Sequence, residues 1–166
     1  MIQTFASAPF EGQKPSTSGL CKKDRVFQQP DYTENFVQSV FDDVERPEAA
    51  ALVLGGNGRT HNQSVIRETI RMAAAKGWIV GGGGILSTPA ASHVIRNYGA
   101  SDGLILSASH DPGGPKEDFG IKDHIANGGP ATEAETTEML RSLTAAAEDI
   151  IQACLHTGRM APDVAI

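Results

Sequence analysis

Leu104-Ile-Leu-Ser-Ala-Ser-His-Asp-Pro-Gly-Gly-Pro-Lys-Glu-Asp-Phe-Gly-Ile-Lys122 is the stretch from which the rest of the chain is read. Leu104 to Leu106 is a short apolar run, which predicts a buried strand. The chain then turns polar through Ser107, Ser109 and His110, and Asp111-Pro112-Gly113-Gly114-Pro115 specifies a tight turn. Open α/β sheets take their ligands at the C-terminal ends of strands, so a hydroxyl here is well placed for chemistry. Ser109 supplies the hydroxyl, and His110 and Lys122 supply nearby proton carriers or cations. On composition alone the same residues also describe a solvated turn.

The 166 residues suffice for one domain with a sizeable core and not for two. Forty per cent of them are apolar and 20% charged, an ordinary soluble composition. A net charge of −6 argues against general binding to nucleic acid or anionic membrane, which need a basic face. No run approaches the ~20 apolar residues of a membrane span, and Met1-Ile-Gln-Thr-Phe-Ala-Ser-Ala-Pro9 does not read as a signal peptide. Cys21 and Cys154 lie far apart, which implies neither a disulfide framework nor a metal cluster and suits a reducing cytoplasm.

Outward from the focal stretch, strands alternate with amphipathic helices, the pattern of an α/β layered domain. Phe10 to Gln29 reads as an extended arm with a strand around Arg25-Val26-Phe27, and Lys22 and Lys23 read as charges guarding an edge strand. Asp31 is placed to cap a helix reaching Arg46, with Val37, Val40, Phe41 and Val44 on one face and Pro47 as its stop. Ala50 to Leu54 predicts a strand running into Gly55-Gly56-Asn57-Gly58-Arg59, followed by a helix with Val65, Ile66, Ile70, Ala73 and Ala74 inward and Gly77 as its stop. That Gly-rich turn is no dinucleotide fingerprint. Counted from Gly56 the sixth position is His61, and counted from Gly55 the third is Asn57. Arg59 reads as a residue that holds the turn. Trp78-Ile79-Val80 predicts the next strand, before Gly81 to Gly84. Ser87 or Thr88 caps a helix with Pro89 in its first turn, Ala91, Val94, Ile95 and Tyr98 on its apolar face, and Gly99 at its end. His93 falls off that face. Thr132 with Glu135 forms a capping box for a last helix, whose stripe runs through Met139, Leu140, Leu143, Ala147, Ile150 and Ile151 to Cys154.

Several strings taken together resemble one family. Ser107-Ala-Ser-His-Asp-Pro-Gly-Gly-Pro115, Phe119-Gly-Ile-Lys122 and Asn127-Gly-Gly-Pro130 resemble the phosphoserine loop region of the α-D-phosphohexomutases, and within them the phosphoglucomutase branch. Gln13-Lys-Pro-Ser-Thr-Ser-Gly-Leu20, Glu34-Asn-Phe-Val-Gln-Ser-Val-Phe41 and Gly84-Ile-Leu-Ser-Thr-Pro-Ala90 agree, in order, over about Ile2 to Pro130. The resemblance implies a three-layer α/β/α sandwich with a mixed sheet of about four strands. It implies a first domain over residues 1–155, with 156–166 an unassigned tail.

It also implies a chemistry. Ser109 is the serine that carries the phosphoryl group, and His110 and Lys122 match the family's loop histidine and its acid–base lysine. Thr17, Ser18, Gly19 and Cys21 fall where the family binds phosphate, with Cys21 in place of an arginine. Mg²⁺ sits on the Ser109 phosphate, with its other ligands on a second domain. Glucose 1-phosphate and glucose 6-phosphate are the implied substrates, glucose 1,6-bisphosphate the intermediate and activator, and a chain bearing three further domains the implied partner. Other departures are Asp111 for the usual asparagine, Gly-Asn-Gly-Arg for Gly-Asp-Gly-Arg at Gly56 to Arg59, a segment near Gly81 shorter by about three residues, and Asp123-His124 after the lysine. Asp111 adds negative charge beside the phosphate. Two readings follow: the phosphoserine domain of a mutase, as a fragment, truncated product or split subunit, or a non-catalytic sugar-phosphate-binding or docking module derived from it.

Overall fold

The computed structural model describes residues 2–16, 19–43, 50–145 and 150–154. Its centre is a five-stranded mixed sheet in the order β2-β6-β5-β3-β4. The strands are β2 (Leu20–Lys23), β3 (Ala51–Gly56), β4 (Ile79–Ile85), β5 (Asp102–Leu106) and β6 (Asp118–Ile125). β3, β4 and β5 run parallel, β6 runs antiparallel to β5, and β2 antiparallel to β6. A separate antiparallel ribbon pairs β1 (Ile2–Ala6) with β7 (Ile150–Cys154).

Alternation along the strands sets the layers. Leu52, Leu54, Leu104 and Leu106 face the larger core with Phe119 and Ile121. There they meet α2 (Tyr32–Asp43), α3 (Asn62–Ala75) and α5 (Glu133–Ala145) through Phe36, Val37, Val40, Val65, Met72, Met139 and Leu143. Val53 faces the other way, onto Ile95 of α4 (Thr88–Tyr98). A Cβ at Gly103 would lie 2.4 Å from the Ile95 Cδ1 atom, so this glycine is what lets α4 lie close on the sheet. These are the three layers expected, with one more strand in the sheet. No helix among the described residues is long and apolar enough to cross a membrane.

Topology places the ligand edge. The chain passes from β3 through α3 to β4 on one side, then back through α4 to β5 on the other side of β3. The order reverses between β3 and β5, and the crevice at that reversal is where open α/β sheets bind ligands. The focal loop leaves β5 there.

The punctuation residues act as their chemistry requires. Ser87 Oγ accepts from the Ala90 N–H, and Gly99 ends α4 at φ 64°. Thr132 and Glu135 exchange backbone N–H groups with each other's side chains at 2.6 and 3.3 Å, a complete capping box. Gly77 closes α3 at φ 74°. Lys23 of edge strand β2 pairs with Asp118 at 2.9 Å and Glu117 at 3.5 Å.

Several expectations need correction. Arg25 to Phe27 is not a strand but one helical turn, α1 (Asp24–Phe27). Phe27 turns in from it against Tyr32 and Phe119, with ring centroids 5.6 and 4.9 Å away. β4 does not stop at Val80; it runs on through Gly81 to Gly84, and its register with β3 slips between Leu54 and Gly55. Gly82 and Gly83 take φ 104° and 99°, which only glycine adopts without strain, so the slip is a bulge. β4 is an edge strand, which leaves Ile79 and Ile85 61% and 80% exposed. Tyr98, in the last turn of α4, also points out to solvent. The buried face of α3 is rotated onto Thr69 and Met72, with Ile66 and Ile70 half-buried and Ala74 exposed. α5 ends at Ala145, and Ile150 to Cys154 forms strand β7. A run of Ile150-Ile151 suits either period, and pairing with β1 decides it. The end of the helix after Asp31 (Val44, Arg46, Pro47), Ala147, the side chain of Cys154 and the tail 156–166 lie outside the described residues.

Phe119 has no exposed surface and touches the rings of Phe27 and His61, so it locks β6 to the large core. Phe119→Ala is expected to cost about 3–5 kcal/mol, read as a lower urea midpoint with an unchanged slope.

Candidate active site

The loop after β5 is built by its backbone before any side chain acts. Asp111 N–H donates to the Ala108 carbonyl at 3.0 Å, and Asp118 N–H donates to the Pro112 carbonyl at 3.0 Å. Ser107 N–H still pairs with the Gly120 carbonyl at 2.8 Å, so the sheet ladder extends one residue past β5. A Cβ at Gly120 would lie 2.7 Å from the Ser107 carbonyl oxygen, a close approach only glycine permits.

Arg59 then ties the loop down. Its guanidinium donates to the carbonyls of Ser109 (3.2 Å), Asp111 (2.7 Å), Pro112 (2.9 Å) and Asp118 (2.6 Å). The sequence suggested that Arg59 holds its own turn; the structure turns it onto the loop after β5 instead.

The two loop serines differ completely. Ser107 is 7% exposed, and its Oγ accepts from Asn57 Nδ2 at 3.2 Å and from the Ser109 N–H at 3.1 Å. Ser109 is exposed and sits at φ 53°, a left-handed conformation that costs a serine roughly 1–3 kcal/mol. Its Oγ lies 2.7 Å from Lys122 Nζ, which donates to it. Lys122 stands on β6 directly across from Ile105 of β5, so strand register brings it to the serine from 13 residues away. His110 follows Ser109 at the exposed tip of the loop.

The arm before β2 completes the rim. Gly19 packs on the β6 backbone beside Lys122; a Cβ there would lie 2.1 Å from the Ile121 carbonyl oxygen and 2.7 Å from the Lys122 Cα. Its φ of 96° also excludes other residues without strain. Cys21 is exposed, with Sγ 3.8 Å from Asp111 Oδ2. Loss of water around the thiol, then the Asp111 and Asp118 carboxylates, push its pKa up, against the opposing pull of Arg59. Thr17 and Ser18 lie outside the described residues. The structure thus brings together Ser109, Lys122, Gly19 and, across Asp111, Cys21. A groove of about 410 Å³ lined by Asn57, Gly58, Arg59, Thr60, Gly113 and Gly114 opens beside the loop.

Metal ligands are a different matter. Among the described residues no three His, Cys, Asp or Glu side chains gather as a metal site. The loop offers a cation the Ser109 hydroxyl beside the Lys122 ammonium and the Asp111 carboxylate beside Cys21, which does not fit a Mg²⁺ ion needing several oxygen ligands.

Asn57 and His124 were not read from the sequence as parts of this region. Asn57 holds Ser107. His124, two residues beyond Lys122, is buried, and its Nδ1 lies 3.0 Å from the Gly128 carbonyl and 3.3 Å from Ser92 Oγ. Ser92 donates its own proton to the Thr88 carbonyl, so Nδ1 is assigned the proton and donates to both. The signal for Asn57 was its place at the end of β3, next to the neighbouring strand's loop.

Comparison with known proteins bears on the whole assembly. Residues 12–149 match the family described as phosphoglucomutase/phosphomannomutase, alpha/beta/alpha domain I. The chain is 59% identical over 139 residues to a phosphoglucomutase of Rhizobium radiobacter, an alignment covering 82% of this chain and 26% of that protein. It is 53% identical over 148 residues to a phosphoglucomutase of Schizosaccharomyces pombe, covering 87% and 26%. Among solved structures it resembles the open form of the exocytosis-sensitive phosphoprotein pp63/parafusin, a phosphoglucomutase from Paramecium. The TM-score is 0.84 at 39% identity, over 92% of this chain and 28% of that one. The chain spans about a quarter of the length of the curated relatives it matches.

His124 gives a pH prediction. Burial, reinforced by the Lys122 charge, holds its pKa below the ordinary 6.5, against the Gly128 carbonyl and Asp102, which raise it. The unfolded chain therefore takes up this proton first as pH falls. The contribution is fully present above 6.5 and is lost as pH drops from there through the lower folded value. Urea unfolding at a series of pH values is expected to show that decline, and His124→Asn is expected to flatten it.

Proposed function

The chain belongs to the phosphoglucomutase/phosphomannomutase family, and from that premise we propose that it is the phosphoserine-bearing domain of a phosphoglucomutase. The reaction interconverts glucose 1-phosphate and glucose 6-phosphate through glucose 1,6-bisphosphate. Residues 1–155 form the domain, working in the cytoplasm with the further domains of such an enzyme, in the same chain or another. The observation that supports this most directly is the 2.7 Å contact between Lys122 Nζ and the exposed Ser109 Oγ at the switch-point edge of the sheet.

The residues account for the transfer as follows. With a phosphoryl group on Ser109, attack by a sugar hydroxyl forms the new P–O bond, breaks the bond from phosphorus to Oγ and releases the hydroxyl's proton to solvent. Oγ needs a proton as it leaves, and Lys122 Nζ is in hydrogen-bond reach to supply it. In the return step the bisphosphate gives its other phosphoryl group to Oγ, Lys122 takes the proton back, and the sugar oxygen left behind takes a proton from solvent. While the phosphoryl group is on Ser109, the Lys122 ammonium offsets its charge. His110 stands where it can meet the phosphoryl oxygens or the sugar. Arg59 and the buried Ser107 hold the Ser109 backbone, and Lys122 holds its Oγ. A Mg²⁺ ion would take one ligand here, a phosphate oxygen on Ser109, and the others from the rest of the enzyme; this chain's residues build no metal step alone.

A second reading, a non-catalytic sugar-phosphate-binding or docking module, draws its support from Cys21 and Asp111. Together they put a thiol and a carboxylate at the rim, where the resemblance implies an arginine and an asparagine.

Cys21 offers a graded test. Cys21→Arg is expected to tighten binding of glucose 1,6-bisphosphate by at most about 1.5–3 kcal/mol, measured by calorimetry. Asp111 lies beside that position and competes for the guanidinium, so the double variant Cys21→Arg, Asp111→Asn should gain more than the single one. No gain in either would show that the arm does not reach the phosphate.

Ser109 decides between the two readings. Incubation with glucose 1,6-bisphosphate and Mg²⁺ is expected to place phosphate on Ser109 and none on Ser107, with Ser109→Ala abolishing the label. The rate should rise when the remaining domains of a relative are supplied as a separate chain. Phosphate on Ser107, or no label even with those domains added, overturns the mutase reading and leaves the binding module.

A further inference from the structure

The sequence holds two Asn-Gly pairs, Asn57-Gly58 and Asn127-Gly128. Such a pair can lose ammonia when the glycine's backbone nitrogen attacks the asparagine side-chain amide. Glycine adds no side chain to obstruct the approach. The nitrogen must first give up its proton, so an N–H held in a hydrogen bond is restrained from reacting.

The fold treats the two pairs oppositely. Gly128 is buried, and its N–H donates to the Ile125 carbonyl at 2.7 Å. Asn127 Oδ1 is itself held, accepting from the Gly129 N–H at 2.6 Å. A Cβ on Gly128 would lie 2.5 Å from the Ser92 carbonyl oxygen, so there is little room for the ring that must form. Asn57 and Gly58 are both exposed, and among the described residues the Gly58 N–H has no acceptor. Asn57 is held by hydrogen bonds too, so the contrast between the pairs rests on the glycine N–H and the space around the glycine. The Asn57 N–H donates to the Leu106 carbonyl at 3.1 Å and its Nδ2 to Ser107 Oγ at 3.2 Å. Gly58 sits in the turn at φ 79°.

We infer that Asn57 is a deamidation site built against the Ser109 loop, and that Asn127 is protected by the fold. The Gly58 nitrogen loses its proton and bonds to Cγ of Asn57. The bond from Cγ to Nδ2 breaks, ammonia carries the proton away, and a succinimide ring remains. Water then adds across one of the two ring C–N bonds and leaves an aspartate or an isoaspartate at position 57. Nothing is oxidised or reduced, and water is the one co-reactant.

The consequence falls on the loop. The new carboxylate replaces a donor with an acceptor facing Ser107 Oγ. The Ser107 hydroxyl turns to donate to it while still accepting the Ser109 N–H. The aspartate product therefore keeps the loop and adds a negative charge close to it. Isoaspartate inserts an extra backbone atom two residues before Arg59, whose guanidinium holds the loop carbonyls. That product displaces the clamp.

The test is to hold the intact protein at mildly alkaline pH, alone and in urea, and to map peptides until the urea sample has converted. In the folded protein the peptide bearing Asn57 is expected to exchange its side-chain NH₂ for OH and to yield isoaspartate, while the peptide bearing Asn127 stays unchanged. In urea both should convert. Asn57→Gln, which would have to close a larger ring, should remain intact when folded. The inference is overturned if Asn127 keeps pace with Asn57 in the folded protein. It is equally overturned if Asn57 survives in the folded protein while converting in urea.

Discussion

Four carbonyl oxygens of the loop converge on the guanidinium of Arg59. The segment from Ser109 to Asp118 contains two prolines and two glycines, so it cannot satisfy its own carbonyls by a regular ladder. One planar group with several fixed donors does what a strand or helix would otherwise do. A lysine offers a point charge and no fork, and would leave part of this set unpaired. Because Arg59 comes from the turn after β3, the clamp also joins the two strands that flank the switch point. The position of Ser109 thus depends on a residue 50 positions away in the chain.

The clamp explains how two serines of one tripeptide end in different surroundings. In an extended segment Ser107 and Ser109 would share a face. The ladder continues through Ser107, which stays buried under the Asn57 amide. At Ser109 the backbone turns left-handed, and the alternation breaks. The conformation is costly for a serine, and it persists because its own N–H and its own carbonyl are both held, by Ser107 Oγ and by Arg59. The outcome is a hydroxyl on the solvent side, within reach of Lys122. Strain here amounts to preorganisation of the Ser109 backbone, from which Oγ reaches Lys122.

Parts of this were legible in the sequence because they rest on local chemistry. Ser87, Gly99, Thr132 and Glu135 mark helix ends by hydrogen bonds made within a few residues. The layered class followed from periodicity, and the pairing of Ser109 with Lys122 from motif resemblance. What escaped depends on partners distant in the chain. Ile150 to Cys154 carries an apolar stripe that a helix could use, and only β1 makes it a strand. Gly81 to Gly84 reads as a loop until β3 supplies a ladder and the bulge absorbs the extra residue. His124 stood in the sequence only as a departure after the lysine, and its burial depends on Gly128 and Ser92, which bond its ring. The same holds for Ile79 and Ile85, whose exposure follows from an edge position no periodicity reveals.

Two residues 90 apart in the chain, which the resemblance reads as standing for an arginine and an asparagine, meet at one point of the rim. Cys21 Sγ and Asp111 Oδ2 are 3.8 Å apart. Taken singly, a thiol for an arginine removes a cation and a carboxylate for an amide adds an anion. Taken together they act in the same direction and at the same place, lowering the positive potential that an incoming phosphate would meet. They also avoid a conflict: an arginine at position 21 would find Asp111 next to it and pair with the loop before it could pair with a ligand. Asp111 in turn holds the Cys21 proton in place, since its carboxylate is among the groups that raise the thiol's pKa. The rim here carries a thiol and a carboxylate, while Arg59 holds the Ser109 backbone and Lys122 its hydroxyl. The charge an anion would meet and the placement of the Ser109 hydroxyl are thus set separately in this domain: the first at the Cys21–Asp111 contact, the second by Arg59 and Lys122.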